Sequence, residues 1–74
     1  MVNMVDSNLF RNLVEERGLK YSYIASRLGL SKAGLHKKIN GETEFKASEI
    51  MAITDILQLT EKTRDSVFFN DKVI

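Results

Sequence analysis

The three-residue connection Gly29-Leu30-Ser31 constrains the fold of this chain more than any other feature. Apolar residues recur at helical spacing before it, from about Tyr21 to Leu28, and after it, from about Lys32 to Ile39. Glycine readily adopts the left-handed backbone that ends a helix, and serine is a good first cap for the next one. Because the connection is so short, the two predicted helices must cross steeply.

The rest of the chain predicts three more helices and no strand, because no segment alternates apolar and polar residues for long enough. Proline is absent, and the few glycines are spaced as helix ends. We expect an all-α fold made of one domain, residues 1–74, with five helices, a core of about 6–69 and a helix-turn-helix at about 21–39. The expected bounds of the other helices are Asp6 or Ser7 to about Arg17, about Lys46 to Leu57, and Glu61 to about Phe68.

Composition excludes several classes of function. The chain has no cysteine and one histidine, so neither a disulfide nor a structural zinc site is expected. It lacks a nucleophile motif and a glycine-rich phosphate loop, and His36 has no acidic residue within four positions to orient it. We therefore expect neither an enzyme nor a cofactor. With no membrane-length apolar run and no signal peptide, we expect a soluble cytoplasmic protein.

Charge is distributed unevenly along the chain, although the net charge is only +1. The segment from Arg17 to Gly41 has six cations and no acidic residue. A positive face of this kind attracts polyanions, whereas the plainer interpretation is a solvated basic surface. The six cations are Arg17, Lys20, Arg27, Lys32, Lys37 and Lys38.

Three features follow one another along the chain: the spacing of Ile24-Ala25, Gly29-Leu30 and Leu35, then Ile39-Asn40-Gly41, and then Glu44-Phe45-Lys46-Ala47-Ser48-Glu49-Ile50. Together they resemble the Cro/C1-type (phage repressor-like) helix-turn-helix family, particularly its small phage-encoded members. The resemblance covers about Phe10 to Leu59. It implies a compact five-helix lambda-repressor-like domain. Such a domain would bind double-stranded DNA sequence-specifically and regulate transcription in a bacterial or phage-infected bacterial cell. The helix at 32–39 would enter the major groove. The alternative is a protein-interaction module of the same fold, of the antitoxin or anti-repressor type, without specific DNA binding.

The resemblance also implies which residues contact DNA. Base edges would be read from the predicted third helix by Ser31, Lys32, Ala33, His36 and Lys37. The phosphate backbone would be contacted by Lys20, Tyr21, Tyr23, Lys38, Asn40 and Lys46.

The chain departs from the family at Lys38, where an apolar residue is usual three positions after Leu35. Ile39 can reach the same core one residue later, since i+4 shares a helix face as i+3 does. We therefore expect Lys38 to face the nucleic acid or solvent. We expect Arg11 and Arg17 to form surface pairs on the first helix.

The C-terminal end is more apolar than one short helix requires. Because a dimer can read two half-sites of a pseudo-palindromic operator, we expect a homodimer built on this end. The expected interface residues are Val67, Phe68, Phe69, Val73 and Ile74. Some of these residues could instead close the core.

Overall fold

The computed structural model describes residues 5–69, which form five α-helices and, within that range, no strand. The expected all-α fold of five helices is confirmed. No helix among these residues is both long enough and apolar enough to cross a membrane. The helices are α1 (Ser7–Arg17), α2 (Tyr21–Leu28), α3 (Lys32–Ile39), α4 (Ala47–Leu57) and α5 (Glu61–Phe68).

The helix ends form where the sequence predicts them. Asp6, Ser31 and Thr60 are N-caps, and the side-chain oxygen of each accepts a backbone N–H three residues later. Such a bond satisfies one of the amides that a helix start leaves unpaired, and is worth about 1 kcal/mol. Gly18 and Gly29 end α1 and α2 with φ of +67° and +71°, a left-handed backbone that disfavours a side chain.

Three phenylalanines lie at the centre of the core. The Phe10 ring of α1 stacks on Phe45 at 6.1 Å between centroids, and Phe68 of α5 meets both rings edge to face. This arrangement joins the first helix, the loop before α4 and the last helix into one cluster. The other buried apolar residues are Leu13, Val14, Ile24, Ala25, Leu35, Ile39, Ile53, Leu57 and Val67.

The turn between α2 and α3 holds the two helices against each other. The Leu30 N–H donates to the Ala25 carbonyl at 2.8 Å, and the half-buried Leu30 side chain packs on the core. α2 packs against α3 and α4, and α1 packs against α4 and α5. α2 and α3 therefore pack against each other across a three-residue turn, and they span the residues expected for this helix pair.

The C-terminal end differs in part from the expected interface. Val67 and Phe68 are 0% and 3% exposed, so they belong to the core of one chain and offer no surface to a second copy. They are the residues with which α5 closes on the core. Phe69 is 57% exposed. Val73 and Ile74 lie outside the described residues.

Candidate nucleic-acid interface

α3 has an inner and an outer face, set by the helical period. Leu35 and Ile39 are fully buried one turn apart, and they fix α3 on the core. Beside this buried face lies a contiguous stripe at i, i+1, i+4 and i+5, which consists of Lys32, Ala33, His36 and Lys37. Lys32, Ala33 and Lys37 are exposed, and His36 is half-buried. The structure thus brings the predicted base-reading residues of the helix onto one face.

Ser31 is the N-cap of α3. Its Oγ accepts the Gly34 N–H at 2.9 Å, although the residue is exposed. A Cβ added at Gly34 would lie 3.1 Å from that same oxygen, tighter than an ordinary contact. Gly34 therefore lies in the capped first turn of α3, at the position that Leu9 occupies in α1 and Thr63 in α5.

Lys38 does not face nucleic acid or solvent, so that prediction is wrong. Its side chain is only 12% exposed, and Nζ donates to Glu49 Oε1 at 3.0 Å and to the Glu44 carbonyl at 2.9 Å. Nζ also lies 6.0 Å from the centre of the Phe45 ring. The Lys38 side chain is directed toward α4, as an apolar side chain at this position would be. A lysine can be buried here because Glu49 neutralises its charge.

Glu49 is the buried partner of this ion pair, with its side chain 9% exposed. Its Oε1 also accepts the Lys46 N–H at 2.8 Å, which satisfies an amide at the start of α4. Burial on its own raises the pKa of the Glu49 carboxyl. The Lys46 N–H bond and the Lys38 ammonium outweigh this effect, and the pKa lies below its ordinary value of 4.5.

The two tyrosines of α2 have different surroundings. Tyr21 is half-buried, and its ring lies 5.0 Å from the His36 ring, so it packs the start of α2 against α3. Tyr23 is 44% exposed. Its hydroxyl accepts a hydrogen bond at 2.8 Å from Arg27, whose guanidinium also lies 5.7 Å from the Tyr23 ring centre. Tyr23 and Arg27 thus form one exposed polar pair on α2.

Three of the predicted phosphate-contacting residues are exposed at helix ends. Lys20 is the N-cap of α2 and gives it no side-chain cap, in contrast to Asp6 in α1. Asn40 is the C-cap of α3, and Lys46 is the N-cap of α4. An uncapped helix start leaves backbone amides that can donate to an anion.

Sequence reasoning missed two residues that organise this region. Arg11 was expected to pair on the surface of α1, but its Nη2 donates to Asn40 Oδ1 at 2.7 Å, 29 residues away. Glu49 received no role, although a glutamate three residues after a helix start is a known capping pattern. No local signal identifies the Arg11 contact, because it depends on how α1 packs against the end of α3.

Arg17 does pair with Glu16, at 3.2 Å, and also donates to the Leu57 carbonyl.

Over residues 5–69, no group of three or more histidine, cysteine or acidic side chains is placed to hold a metal ion. A shallow cleft of about 390 Å³ lies between α1 and the start of α2, lined by Arg11, Val14, Glu15, Leu19 and Tyr21. The exposed lysine and arginine side chains and the free backbone N–H groups of this region can donate hydrogen bonds and attract anions.

Comparisons of the chain with curated proteins and with solved structures give no match. Residues 5–71 match a family described as a protein of unknown function, DUF739. This match extends from the residue before the α1 cap to beyond the end of α5, and so includes all five helices. The chain belongs to the DUF739 family.

Proposed function

We propose that the protein is a sequence-specific DNA-binding regulator of transcription, of the Cro-like or phage and prophage repressor kind, in the bacterial cytoplasm. The observation that carries the proposal is the outer face of α3, defined by Lys32, Ala33, His36 and Lys37. This face lies beside the buried face of Leu35 and Ile39, and it belongs to the segment from Arg17 to Gly41 that has no acidic residue. The resemblance of the helix-turn-helix to the Cro/C1-type family supports the same function.

In the proposed complex, α3 lies in the major groove. Lysine can donate to the O6 and N7 atoms of guanine, and the Ala33 methyl can contact the methyl group of thymine. Lys20 and the uncapped first turn of α2 would donate to phosphate oxygens beside the groove. Ser31 caps α3 through its oxygen, which accepts the Gly34 N–H, and its O–H group would remain able to donate to a base or a phosphate. Lys38 has no part in the complex because Glu49 neutralises it.

Selection of bound duplexes from a random library tests this function most directly. An enriched sequence with two half-sites about 34 Å apart would support a regulator that binds as a dimer. Retention on heparin and on random duplex below about 100 mM salt is the simpler first measurement. Absence of both retention and enrichment would overturn the proposal and favour the protein-interaction module.

Lys32→Ala and Lys20→Ala are expected to affect binding differently. Loss of a base contact by Lys32→Ala should cost about 1–3 kcal/mol of discrimination at one operator position. Lys20→Ala should weaken binding to all sequences alike and reduce the salt slope by about 0.9. Titration of two operators at two salt concentrations separates these effects. Identical behaviour of the two variants would contradict the assigned division between base and phosphate contacts.

We also propose that the protein forms a homodimer through its C-terminal end. Support comes from two exposed apolar side chains, Met51 of α4 at 72% and Phe69 at 57%. They border an open groove of about 430 Å³ whose lining includes Phe45 and Ile50. A second copy that covered this surface would remove apolar area from water, which favours association.

Truncation after Phe69 tests the dimer, because it removes the apolar Val73 and Ile74 and leaves all five helices. The expected result is a folded chain with a solution mass nearer to that of one copy, measured by light scattering across a range of concentrations. Phe69→Ser in the full-length chain should shift the mass in the same direction. An unchanged mass for both folded variants would rule out this end as the interface.

A further inference from the structure

Two side chains of α1 hold the end of α3. Ser7 Oγ donates to the Ile39 carbonyl at 2.6 Å, and Arg11 Nη2 donates to Asn40 Oδ1 at 2.7 Å. Ser7 and Arg11 are four residues apart, so they lie on one face of α1. Their partners are consecutive residues, the last residue of α3 and its C-cap. One face of α1 therefore fixes both the backbone and the side chain where α3 ends.

The bond from Arg11 determines which atoms of Asn40 remain available. A guanidinium has only donors, so it must face the carbonyl oxygen of the Asn40 amide. The two N–H groups of that amide then point away from Arg11, and Asn40 is exposed. The side chain is thereby oriented as a donor at the end of the outer face of α3.

Arg11 has donors and charge left after this bond. Among residues 5–69, no carboxylate lies within ion-pair distance of the Arg11 guanidinium. Glu15, one helical turn later, does not pair with it either. Arg17 and Arg64, in contrast, each have an acidic partner. Arg11 uses Nη2 on Asn40, and it makes no other hydrogen bond within this range. A guanidinium presents five donors in a planar fork that suits phosphate oxygens.

The position at the end of α3 explains why both residues are needed. The C-terminal end of a helix carries partial negative charge, so a neutral amide alone is a weak partner for an anion there. The Arg11 guanidinium supplies the missing positive charge beside the amide. Lys38, the residue two positions before Asn40, supplies no free charge there because Glu49 neutralises it.

We propose that Arg11 and Asn40 together form a phosphate-binding site for the DNA backbone at the C-terminal end of α3. The Asn40 amide and a free Arg11 N–H donate to phosphate oxygens, and Arg11 also positions the amide. This site rests on the proposed function. It lies at the opposite end of α3 from Ser31 and Lys32, and so fixes the orientation of the helix in the groove.

The test measures binding of a random duplex between about 50 and 200 mM salt by the full chain and by Arg11→Ala, Asn40→Ala and the double variant. Each single variant should bind about tenfold more weakly. The double variant should lose less than the product of the two single losses, because the residues act on one phosphate. Arg11→Ala should reduce the salt slope by about 0.9, whereas Asn40→Ala removes no charge and should leave it nearly unchanged.

Arg11→Lys and Lys62→Ala complete the experiment. Arg11→Lys keeps the charge and should restore the salt slope, with only part of the affinity, because lysine lacks the planar fork. Lys62→Ala removes an exposed cation from α5, outside both proposed interfaces, and should leave binding unchanged. Circular dichroism and thermal unfolding confirm that each variant is folded.

The outcomes distinguish this inference from the function on which it rests. If the wild-type chain binds DNA but Arg11→Ala keeps its affinity, the site is wrong and the function stands. If Arg11→Ala weakens binding with an unchanged salt slope, Arg11 only supports the fold and the site is again wrong. If the wild-type chain binds no duplex, the proposed function fails and this inference fails with it.

Discussion

Glu49→Ala is expected to lower the free energy of unfolding by about 3 kcal/mol, a large part of the total for a domain of this size. Among residues 5–69, the substitution removes the one carboxylate bonded to Lys38, whose side chain is 12% exposed, and leaves the ammonium with only the Glu44 carbonyl as a hydrogen-bond partner. It also removes the oxygen that accepts the Lys46 N–H at the start of α4. Urea unfolding followed by circular dichroism measures the effect.

Two variants show that the effect belongs to this ion pair. Glu42→Ala removes an exposed carboxylate from the loop before α4, so the stability should change by less than about 0.5 kcal/mol. Lys38→Met should cost less than Glu49→Ala, because the remaining carboxylate still accepts the Lys46 N–H. A Glu49→Ala variant as stable as Glu42→Ala would show that the pair contributes nothing.

The lowered pKa of Glu49 gives the same pair a pH signature. A carboxyl whose pKa is lower in the folded state stabilises the fold fully above its unfolded pKa, and this contribution is lost as the pH falls through the folded pKa. The stability difference between wild type and Glu49→Gln should therefore be constant near neutral pH. It should shrink as the pH falls below the ordinary carboxyl pKa of 4.5. A difference that grew in acid would contradict the direction of the shift.

The double variant Lys32→Glu/Lys37→Glu is expected to bind duplex DNA at least about 100-fold more weakly at low salt. It replaces two cations on the outer face of α3 with two groups that repel phosphate. Both lysines are exposed and make no ion pair among residues 5–69, so the fold should tolerate the change. A glutamate at 32 suits the helix start and one at 37 opposes the helix end, so the two dipole effects largely cancel.

Fluorescence anisotropy on a labelled random duplex measures this loss. Lys37→Glu alone is measured beside Lys62→Glu, a matched single reversal on α5, which should have a much smaller effect because Lys62 lies outside α2 and α3. If the double variant bound as the wild type does, DNA would contact another surface. The proposed role of α3 would then be wrong, even if the protein still bound DNA.

The sequence predicted the helices closely because their ends depend on neighbouring residues. A cap such as Ser31 acts on an amide three residues later, and Gly29 supplies a left-handed backbone that other residues resist. The division of α3 into inner and outer faces follows from its 3.6-residue period, so Leu35 and Ile39 were assigned to the core correctly.

Predictions that depended on distant partners were less successful. Lys38 was expected to face outward, because its charge argued against burial and its partner Glu49 is 11 residues away on another helix. Val67 and Phe68 were assigned to an interface, because apolar side chains at the end of a chain suit a second copy as well as a core. Packing of α5 on α1 decided between these alternatives.

The sequence by itself determined the five helices, the short turn at Gly29-Leu30-Ser31 and a basic segment without acidic residues, since propensity, capping and charge are properties of short stretches. Only the tertiary structure decided which cations are free. Lys38 is neutralised by a residue of α4, whereas Arg11 lies beside Asn40 and has no carboxylate partner within residues 5–69. The physical reason is that an ion pair or a hydrogen bond requires atoms within about 3–4 Å, and only the packing of helices brings atoms from distant parts of the chain that close.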